Sequence, residues 1–207
     1  MHSKNYFDTV AGQWDAMRAR FFSDSVRTKT FAVAGLQAGQ VAADLGAGTG
    51  FITEGLVREG LQVIAVDQSE AMLAQMQKKF ADAEGITYRV GQATQLPVEN
   101  DRVDWVFANM YLHHVEEPAA AIAEMYRILK PGGMVIITDL DEHNMEFLRT
   151  EQNDYWLGFP RQDILNWLQA AGFKNAEVNC LDENCCAQSE CGCDSAEISI
   201  FIATGIK

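Results

Sequence analysis

Three glycines that follow a short apolar stretch are the residues most clearly arranged for chemistry. The stretch Val41-Ala-Ala-Asp-Leu-Gly-Ala-Gly-Thr-Gly50 predicts a buried strand, a sharp turn and then a helix from about Phe51. Gly46, Gly48 and Gly50 allow the backbone to turn tightly and to approach a ligand closely. The free N–H groups at the start of the following helix point into that turn. The pattern therefore predicts a site for a nucleotide-like ligand.

The spacing of these glycines distinguishes two kinds of nucleotide site. The dinucleotide fingerprint is G-x-G-x-x-G, followed about 20 residues later by an acidic residue that binds the ribose. In this chain the third glycine comes one residue early, and Phe51 stands where the fingerprint needs Gly or Ala. Phe51 therefore disfavours a nicotinamide-dependent oxidoreductase, which we keep as an alternative.

A further candidate binding residue, Asp67, stands at the end of the next predicted strand. Asp67 ends an apolar stretch about 20 residues beyond the glycine turn, where a carboxylate accepts hydrogen bonds from ribose hydroxyls. The sequence thus predicts that the ligand carries a ribose.

Short apolar stretches alternate with amphipathic segments along the chain. Strands are predicted at residues 41–45, 61–67, 86–91, 103–109, 134–139, 178–180 and 196–203. Helices are predicted from about residue 51, after the N-cap Ser69, over 119–129 and between Pro160 and Gly172, while residues 4–35 favour interrupted helices. The alternation predicts an α/β fold with a doubly wound, seven-stranded, mostly parallel sheet and an N-terminal helical flap.

Five segments together resemble the motifs of class I S-adenosylmethionine (SAM)-dependent methyltransferases of the UbiE-like group (methyltransferase type 11). They are Asp44-x-Gly-x-Gly-x-Gly50, Asp67, Gln92-Ala93, Asn109-Met-x-Leu-His113-His114 and Leu129-Lys-Pro-Gly-Gly133. The resemblance covers about residues 40–140. It implies a Rossmann-like methyltransferase fold, with strand seven antiparallel between strands five and six. It also implies methyl transfer from SAM to a small-molecule acceptor by in-line displacement, with S-adenosylhomocysteine as the product.

The resemblance also implies which residues bind SAM. They are Asp44, Gly46, Ala47, Gly48, Gly50, Asp67, Gln68, Gln92, Ala93, Asn109 and Met110. Asp67 would hold the ribose, and the adenine would lie near Gln68 and Ala93. Gln92 stands where related enzymes usually have an Asp that meets the adenine amino group, and its amide oxygen can accept the same hydrogen bond.

Aromatic residues and histidines are the candidates for the acceptor side. Helical spacing of Tyr6, Phe7 and Trp14 favours a flap packed on the domain edge. UbiE-like enzymes have a similar Tyr-Phe-Asp…Trp-Asp opening, which implies that Tyr6 and Trp14 contact the substrate. His113 and His114 follow strand four, so His113 is a candidate catalytic residue and His114 a candidate substrate contact. An orienting or packing role for both histidines stays open.

A third histidine lies beyond strand five. His143, Glu146 and Arg149 would share one face at three-residue spacing if this segment is helical. The spacing is consistent with a surface ion-pair ladder or with a substrate-facing site in which His143 is catalytic.

All five cysteines lie in the last part of the chain, and we predict a Cys-rich loop over residues 180–193 on the substrate side. Cys185, Cys186, Cys191 and Cys193 are candidate ligands for a soft metal or metalloid, because thiolates suit such ions, although their spacing is not that of a closed zinc site. A tolerated Cys-rich loop without a metal is the alternative. Cys180 shares a face with Val178 and is predicted to lie in the core.

The cysteines leave the acceptor and even the class of protein open. Arsenite methyltransferases are similar UbiE-like enzymes that hold the metalloid on cysteines, which raises a thiol or metalloid acceptor near the loop. Their cysteines are distributed along the chain, whereas here none precedes Cys180. The alternative from another class is a non-catalytic SAM-binding metal or redox sensor that uses the cysteine cluster.

Length and charge limit the remaining possibilities. The 207 residues predict a single domain over 1–207, with a helical cap (1–35), a SAM-binding core (40–140) and a substrate-side half (141–207). A net charge of −13 argues against nucleic acid and anionic membranes as partners, because both need a basic patch. Without a long apolar run or an apolar signal core, the chain is expected to be cytoplasmic, as a monomer or homodimer acting on a small molecule.

Overall fold

The computed structural model describes residues 2–189 and 191–207, which form a seven-stranded sheet with helices on both faces. The helices are α1 His2–Val10, α2 Trp14–Phe21, α3 Ser25–Ala32, α4 Phe51–Arg58, α5 Glu70–Lys79, α6 Pro118–Ile128, α7 Glu146–Glu151 and α8 Arg161–Ala171, with 3₁₀ turns at Ala11–Gln13 and Leu112–His114. The strands are β1 Val41–Leu45, β2 Gln62–Asp67, β3 Ile86–Val90, β4 Val103–Asn109, β5 Leu129–Leu140, β6 Lys174–Gln188 and β7 Ser195–Ile206. Met1 and Glu190, which fall inside the predicted cap and loop, lie outside the described residues.

The strand order is β3-β2-β1-β4-β5-β7-β6. Neighbouring strands are parallel from β3 to β5, whereas β7 is antiparallel to both β5 and β6. This arrangement confirms the predicted doubly wound α/β fold and the antiparallel seventh strand. Since the carboxyl ends of β1, β2, β4 and β5 meet at one edge, the residues that follow them are brought together there.

The two largest hydrophobic clusters of the core lie on opposite faces of the sheet. On one face α6 and α8 bury Ile122, Met125 and Leu168 against the strands. On the other face α3 and α4 bury Val26 and Leu56. Burial on both faces explains why β1, β4 and residues 134–137 of β5 are mainly apolar.

Local sequence signals begin and end the helices where they were predicted. The Ser69 hydroxyl accepts a hydrogen bond from the Met72 N–H, which caps α5. Gly172 ends α8 in the left-handed conformation, with φ of 104°. Among the described residues, the helices are all too short or too polar to cross a bilayer.

The last two strands are longer than the sequence indicated, so the predicted loop over residues 180–193 is wrong. Most of this segment belongs to β6, which pairs with β7 as far as the Gln188–Ser195 pair. β6 is an edge strand with one face toward solvent, so it lacks the apolar run that reveals an inner strand. Cys180 was predicted to be buried but is exposed. The register shifts between Cys180 and Asn184, and it is Leu181 that is buried.

Strand β5 also begins earlier than predicted. Helix α6 ends at Ile128, as the Lys-Pro-Gly-Gly sequence indicated, but Leu129 already pairs with Val103 of β4. The ladder is then irregular until Met134 pairs with Trp105. Proline and glycine disguised this first part of the strand in the sequence.

Candidate active site

A cavity of about 960 Å³ opens at the carboxyl edge of the parallel strands. The glycine turn after β1 and the ends of β2 and β4 form one side of it. The N-terminal helices, the segment 152–156 and part of β6 form the rest. Elements that are far apart in the sequence thus enclose one space.

Most of the residues predicted to bind SAM line this cavity together. They are Asp44, Gly46, Ala47, Gly48, Asp67, Gln68, Gln92, Ala93, Asn109 and Met110. Gly50 is the exception, because it packs behind the turn, where an added Cβ would meet Phe80 and Met76. Gly46 has φ of 65°, and a Cβ there would collide with the Tyr111 ring. The first glycine is therefore required both by backbone conformation and by space.

Asp67 joins the glycine turn to the start of α5. Its Oδ2 accepts a hydrogen bond from the Gly48 N–H at 2.8 Å, and its Oδ1 accepts one from the Ser69 N–H at 2.8 Å. Burial raises the pKa of Asp67, while these backbone hydrogen bonds act in the opposite direction. The carboxylate thus holds the glycine turn against the start of α5 at the edge of the cavity.

Asp44 holds the turn from the opposite side. Its Oδ2 accepts hydrogen bonds from the Thr53 N–H at 2.9 Å and the Thr53 hydroxyl at 2.6 Å. Burial raises its pKa to about 7, although both hydrogen bonds favour the ionised form. Asp44 therefore fastens β1 to the first turn of α4, in the wall of the cavity.

The N-terminal helices cover the glycine turn. The Asp15 carboxylate accepts a hydrogen bond from the Thr49 hydroxyl at 2.5 Å and pairs with Lys79 at 3.1 Å. The Ser69 hydroxyl donates to Asp8 at 2.6 Å. A Cβ at Gly48 would lie 3.4 Å from Trp14 Nε1, so the indole lies directly over the turn.

The predicted substrate contacts Tyr6, Trp14 and His114 line the cavity together. The Tyr6 hydroxyl donates to Gln152 Oε1 at 2.6 Å, which joins the flap to the segment after α7. The Phe7 ring meets the rings of Trp14 and His114 edge-on, with centroid distances of 5.3 and 4.9 Å. An aromatic wall therefore runs from the glycine turn to the histidines.

His113 is held by a buried carboxylate. Its Nδ1 lies 2.6 Å from Asp139 Oδ1, at the end of β5. The same carboxylate accepts hydrogen bonds from the N–H groups of Tyr111, Leu112 and Leu140, at 3.1, 2.8 and 2.8 Å. These bonds place the 3₁₀ turn after β4 against β5, and they leave His113 Nε2 directed at the cavity side.

The two neighbouring histidines have opposite charge preferences. Burial lowers the pKa of His113, but the Asp139 and Asp154 carboxylates outweigh it and raise that pKa to about 9. Burial, and then the charge of His113, lower the pKa of His114 well below its ordinary value. At neutral pH His113 is therefore an imidazolium and His114 is neutral.

Asp154 is a site residue that sequence reasoning missed. It is buried in the cavity wall, with Oδ1 3.9 Å from His113 Nε2 and 3.7 Å from His114 Nδ1. Burial raises its pKa to about 6, while the positive charge of His113 opposes that shift. The only hint in the sequence was an acidic residue beside Tyr155 and Trp156 between two helices. The two histidines that Asp154 approaches lie about 40 residues earlier in the sequence, so spacing along the chain does not reveal the group.

His113, His114 and Asp154 are also the described residues that come nearest to a metal-ligand set, with donor atoms within 4.8 Å of one another. A tetrahedral metal with bonds of about 2.0–2.1 Å would place neighbouring donors about 3.4 Å apart. The separations of 3.7 and 3.9 Å are longer, so these side chains as placed form a wider group than a closed tetrahedral set.

His143 does not take the position predicted for a catalytic residue, because it lies outside the cavity lining. Helix α7 begins only at Glu146, so His143 does not share a helical face with Glu146 and Arg149, which pair with each other at 3.3 Å. His143 Nδ1 instead accepts a hydrogen bond from the Met145 N–H at 3.2 Å. Its Nε2 is buried, and no hydrogen bond to it comes from the part of the chain that the structure describes.

The structure does not bring the four candidate cysteine ligands together. Cys185 is buried and lines the cavity, whereas Cys186 is exposed on the other face of β6. Cys191 and Cys193 form a disulfide with each other at the exposed end of the hairpin. Burial raises the pKa of Cys185 to about 12, so its thiol is protonated. The four cysteines proposed as candidate ligands from the sequence therefore do not form one common site.

Comparison with known proteins identifies the family. A family model described as a methyltransferase domain matches residues 43–137. A demethylmenaquinone methyltransferase of Clavibacter sepedonicus is 30% identical over 166 residues, which span 68% of this chain and 68% of the relative. The chain belongs to the UbiE-like class I SAM-dependent methyltransferases. The ubiquinone/menaquinone biosynthesis C-methyltransferase UbiE of Desulfotalea psychrophila is 35% identical over 139 residues, covering 64% of this chain and 56% of that protein.

A solved structure agrees with this methyltransferase fold over nearly the whole chain. It is the complex between the Haloferax volcanii Trm112 methyltransferase activator and a methyltransferase, with a TM-score of 0.79 at 21% identity. The match covers 97% of this chain and 96% of the other. The cavity fits SAM as the cofactor of this methyltransferase. It combines a glycine turn that admits close backbone approach, a strand-end carboxylate and about 960 Å³ of space.

Proposed function

We propose that this enzyme transfers the methyl group of SAM to a ring carbon of a small aromatic acceptor that carries a hydroxyl group, such as a hydroquinone. The observation that carries the proposal is the aromatic wall of Tyr6, Phe7 and Trp14, which continues to a buried group of two histidines and a carboxylate. An apolar ring packs on such a wall, and its hydroxyl reaches polar partners at the wall's inner end.

The residues proposed to bind SAM are those that line the cavity beside the glycine turn. Asp67 would accept the ribose hydroxyls, and Gln68, Gln92 and Ala93 lie on the adenine side. Asn109 and Met110 would border the methionine part. The N-terminal helices cover the glycine turn through Trp14 and the Asp15–Thr49 bond, and this cover would help to exclude water from the reacting atoms.

Bound SAM supplies a methyl group on a positively charged sulfur. A hydroxylated ring becomes a strong carbon nucleophile when its hydroxyl is ionised, and the anion and the sulfonium neutralise each other as they react. A dry cavity that aligns the two favours the transfer. His113, fixed by Asp139, supplies a positive charge near the ionising oxygen, and His114 packs against Phe7 beside it. His113 is thus proposed to stabilise the anion and His114 to position the ring.

Relatives support an aromatic acceptor over a thiol or metalloid. Curated proteins similar to this chain include demethylmenaquinone methyltransferases and 2-methyl-6-phytyl-1,4-hydroquinone methyltransferases. Of the cysteines, Cys185 borders the cavity, and its protonated thiol is a poor ligand for a soft ion. A SAM-binding sensor without catalysis is likewise disfavoured, because the cysteines do not form a common site.

The test measures S-adenosylhomocysteine production and product mass with four candidate acceptors under reducing conditions. They are 1,4-naphthohydroquinone, its 2,3-dimethyl derivative, arsenite and a small alkyl thiol. We expect methylation of the first alone, because the dimethyl derivative has no free carbon beside its hydroxyls. Methylation of the dimethyl derivative would indicate oxygen as the nucleophile. Turnover with arsenite or the thiol, but not with the hydroquinone, would overturn the proposal.

A further inference from the structure

Asp154 is a buried carboxylate in a segment that is neither helix nor strand. The backbone around it is anchored to the turn after β4, because the N–H groups of Tyr155 and Trp156 both donate to His113 O at 2.9 Å. Its own N–H donates to Leu148 O at 3.4 Å. These bonds hold the side chain in the cavity wall, 5% exposed, between the two histidines.

The distances leave this carboxylate available to a ligand. His113 Nε2 at 3.9 Å and His114 Nδ1 at 3.7 Å are both beyond hydrogen-bonding range. Both rings nevertheless border the space in front of the carboxylate. A hydroxyl group that entered this space would approach Asp154 and the imidazolium of His113 at the same time.

We propose that Asp154 is the catalytic residue that accepts the hydroxyl proton of the acceptor. The inference rests on the proposed function, since only a hydroxylated acceptor needs such a base. It assigns the proton transfer to a carboxylate rather than to either histidine of the Leu-His-His sequence.

The other titratable groups near this space are unsuited to the task. His113 already carries a proton, and the pKa of His114 is too low for it to be an effective base. Asp139 is occupied by the four donors described above, and Cys185 holds its own proton. The positive charge of Arg149 on α7 lowers the pKa of Asp154, while the Arg149 guanidinium donates to Tyr155 O and pairs with Glu146. A carboxylate with a pKa of about 6 is ionised at neutral pH and still basic enough to share a proton.

The proposed step balances in atoms and charge. Asp154 takes the hydroxyl proton while the ring carbon attacks the methyl group, so a carbon–carbon bond forms and the sulfur–methyl bond breaks. The ring is then a neutral ketone form that carries both hydrogen and methyl on one carbon. That carbon loses its proton to water, and Asp154 returns its proton to the oxygen. One proton is released per turnover, and the carboxylate is regenerated.

The experiment compares wild type with Asp154→Asn and Asp154→Ser, and uses Asp163→Asn on the exposed start of α8 as the matched control. S-Adenosylhomocysteine affinity reports whether each variant retains its fold. Turnover of 1,4-naphthohydroquinone is measured from pH 5 to 9, with and without a chelator. A second acceptor, fluorinated on the distal ring, has a more acidic hydroxyl and needs a base less.

We expect both Asp154 variants to lose at least about 100-fold in kcat/KM while they bind S-adenosylhomocysteine within two-fold of wild type. The loss in kcat/KM should be smaller with the fluorinated acceptor. The decrease in kcat/KM that wild type shows below about pH 6 should be absent from both variants. Variants that keep most of their turnover and the acidic limb would overturn the role of Asp154. If the chelator abolishes wild-type turnover and a divalent cation restores it, the group binds a metal, and the proposed role of Asp154 as the base is wrong. If wild type methylates neither hydroquinone, the proposed function itself fails, and the proton transfer fails with it.

Discussion

His113 Nδ1 lies 2.6 Å from Asp139 Oδ1, in a pair that is almost completely shielded from solvent. The pair joins the turn after β4 to the end of β5 and thereby shapes the inner end of the cavity. Because a buried carboxylate favours the imidazolium, the pair couples protonation of His113 to folding.

This coupling predicts that the protein loses stability as the pH rises above neutral. The pKa of His113 is raised from 6.5 to about 9, so the stabilisation is complete below pH 6.5 and is lost as the pH rises through 9. The free energy of unfolding should therefore fall between pH 6.5 and 9, by at most about 3 kcal/mol. Urea unfolding at several pH values would measure this. In His113→Gln this fall should be much smaller, with a remainder from Asp44, whose pKa is raised to about 7, and an unchanged slope would contradict the assignment.

Asp67 should be essential for cofactor binding. Asp67→Ala removes the acceptor for the Gly48 and Ser69 N–H groups as well as the proposed ribose contact. We expect S-adenosylhomocysteine to bind more than about 10-fold more weakly, since two buried donors lose their partner. Calorimetric titration measures the affinity, and Asp82→Asn at an exposed position is the control. Unaltered affinity in Asp67→Ala would refute the role of Asp67.

Gly46→Ala should damage the turn itself. The new methyl group would collide with the Tyr111 ring, and φ of 65° is strained for alanine. We expect a loss of about 1–3 kcal/mol in the free energy of unfolding, together with weaker cofactor binding. Gly12→Ala is the matched control, because a Cβ there meets no atom within 4 Å. Equal stability of the two variants would show that the contact with Tyr111 relaxes freely.

The cysteines should divide into two groups by position. Cys185→Leu fills part of the cavity, so the KM of the acceptor should rise several-fold while the thermal midpoint changes little. Cys186→Leu, on the exposed face of the same strand, should leave KM unchanged.

The double change Cys191→Ser and Cys193→Ser removes the disulfide at the end of the hairpin and should leave turnover within about two-fold, because neither residue lines the cavity. Loss of turnover in the double variant would indicate that the acceptor binds at these cysteines.

Local signals account for most of what was predictable about the fold. The glycine turn, Asp67 and the apolar strands lie where the sequence indicated, because strand periodicity and turn chemistry act over a few residues. The long edge hairpin was missed for a related reason. One face of β6 is exposed, and its pairing with β7 depends on a partner rather than on its own apolar pattern.

The sequence by itself indicated the α/β class and the residues on the glycine-turn side of the cavity, since they follow parallel strands whose carboxyl ends meet at one edge, and its resemblance to the family implied the antiparallel seventh strand. Only the tertiary structure decided the acceptor side. Asp154 meets His113 and His114 because the segment after α7 is fastened to the turn after β4. His143 lies outside the cavity and the four cysteines lie apart from one another, because side chains that are close in sequence do not necessarily point to the same place. Convergence depends on the packing of distant segments, which residue spacing does not encode.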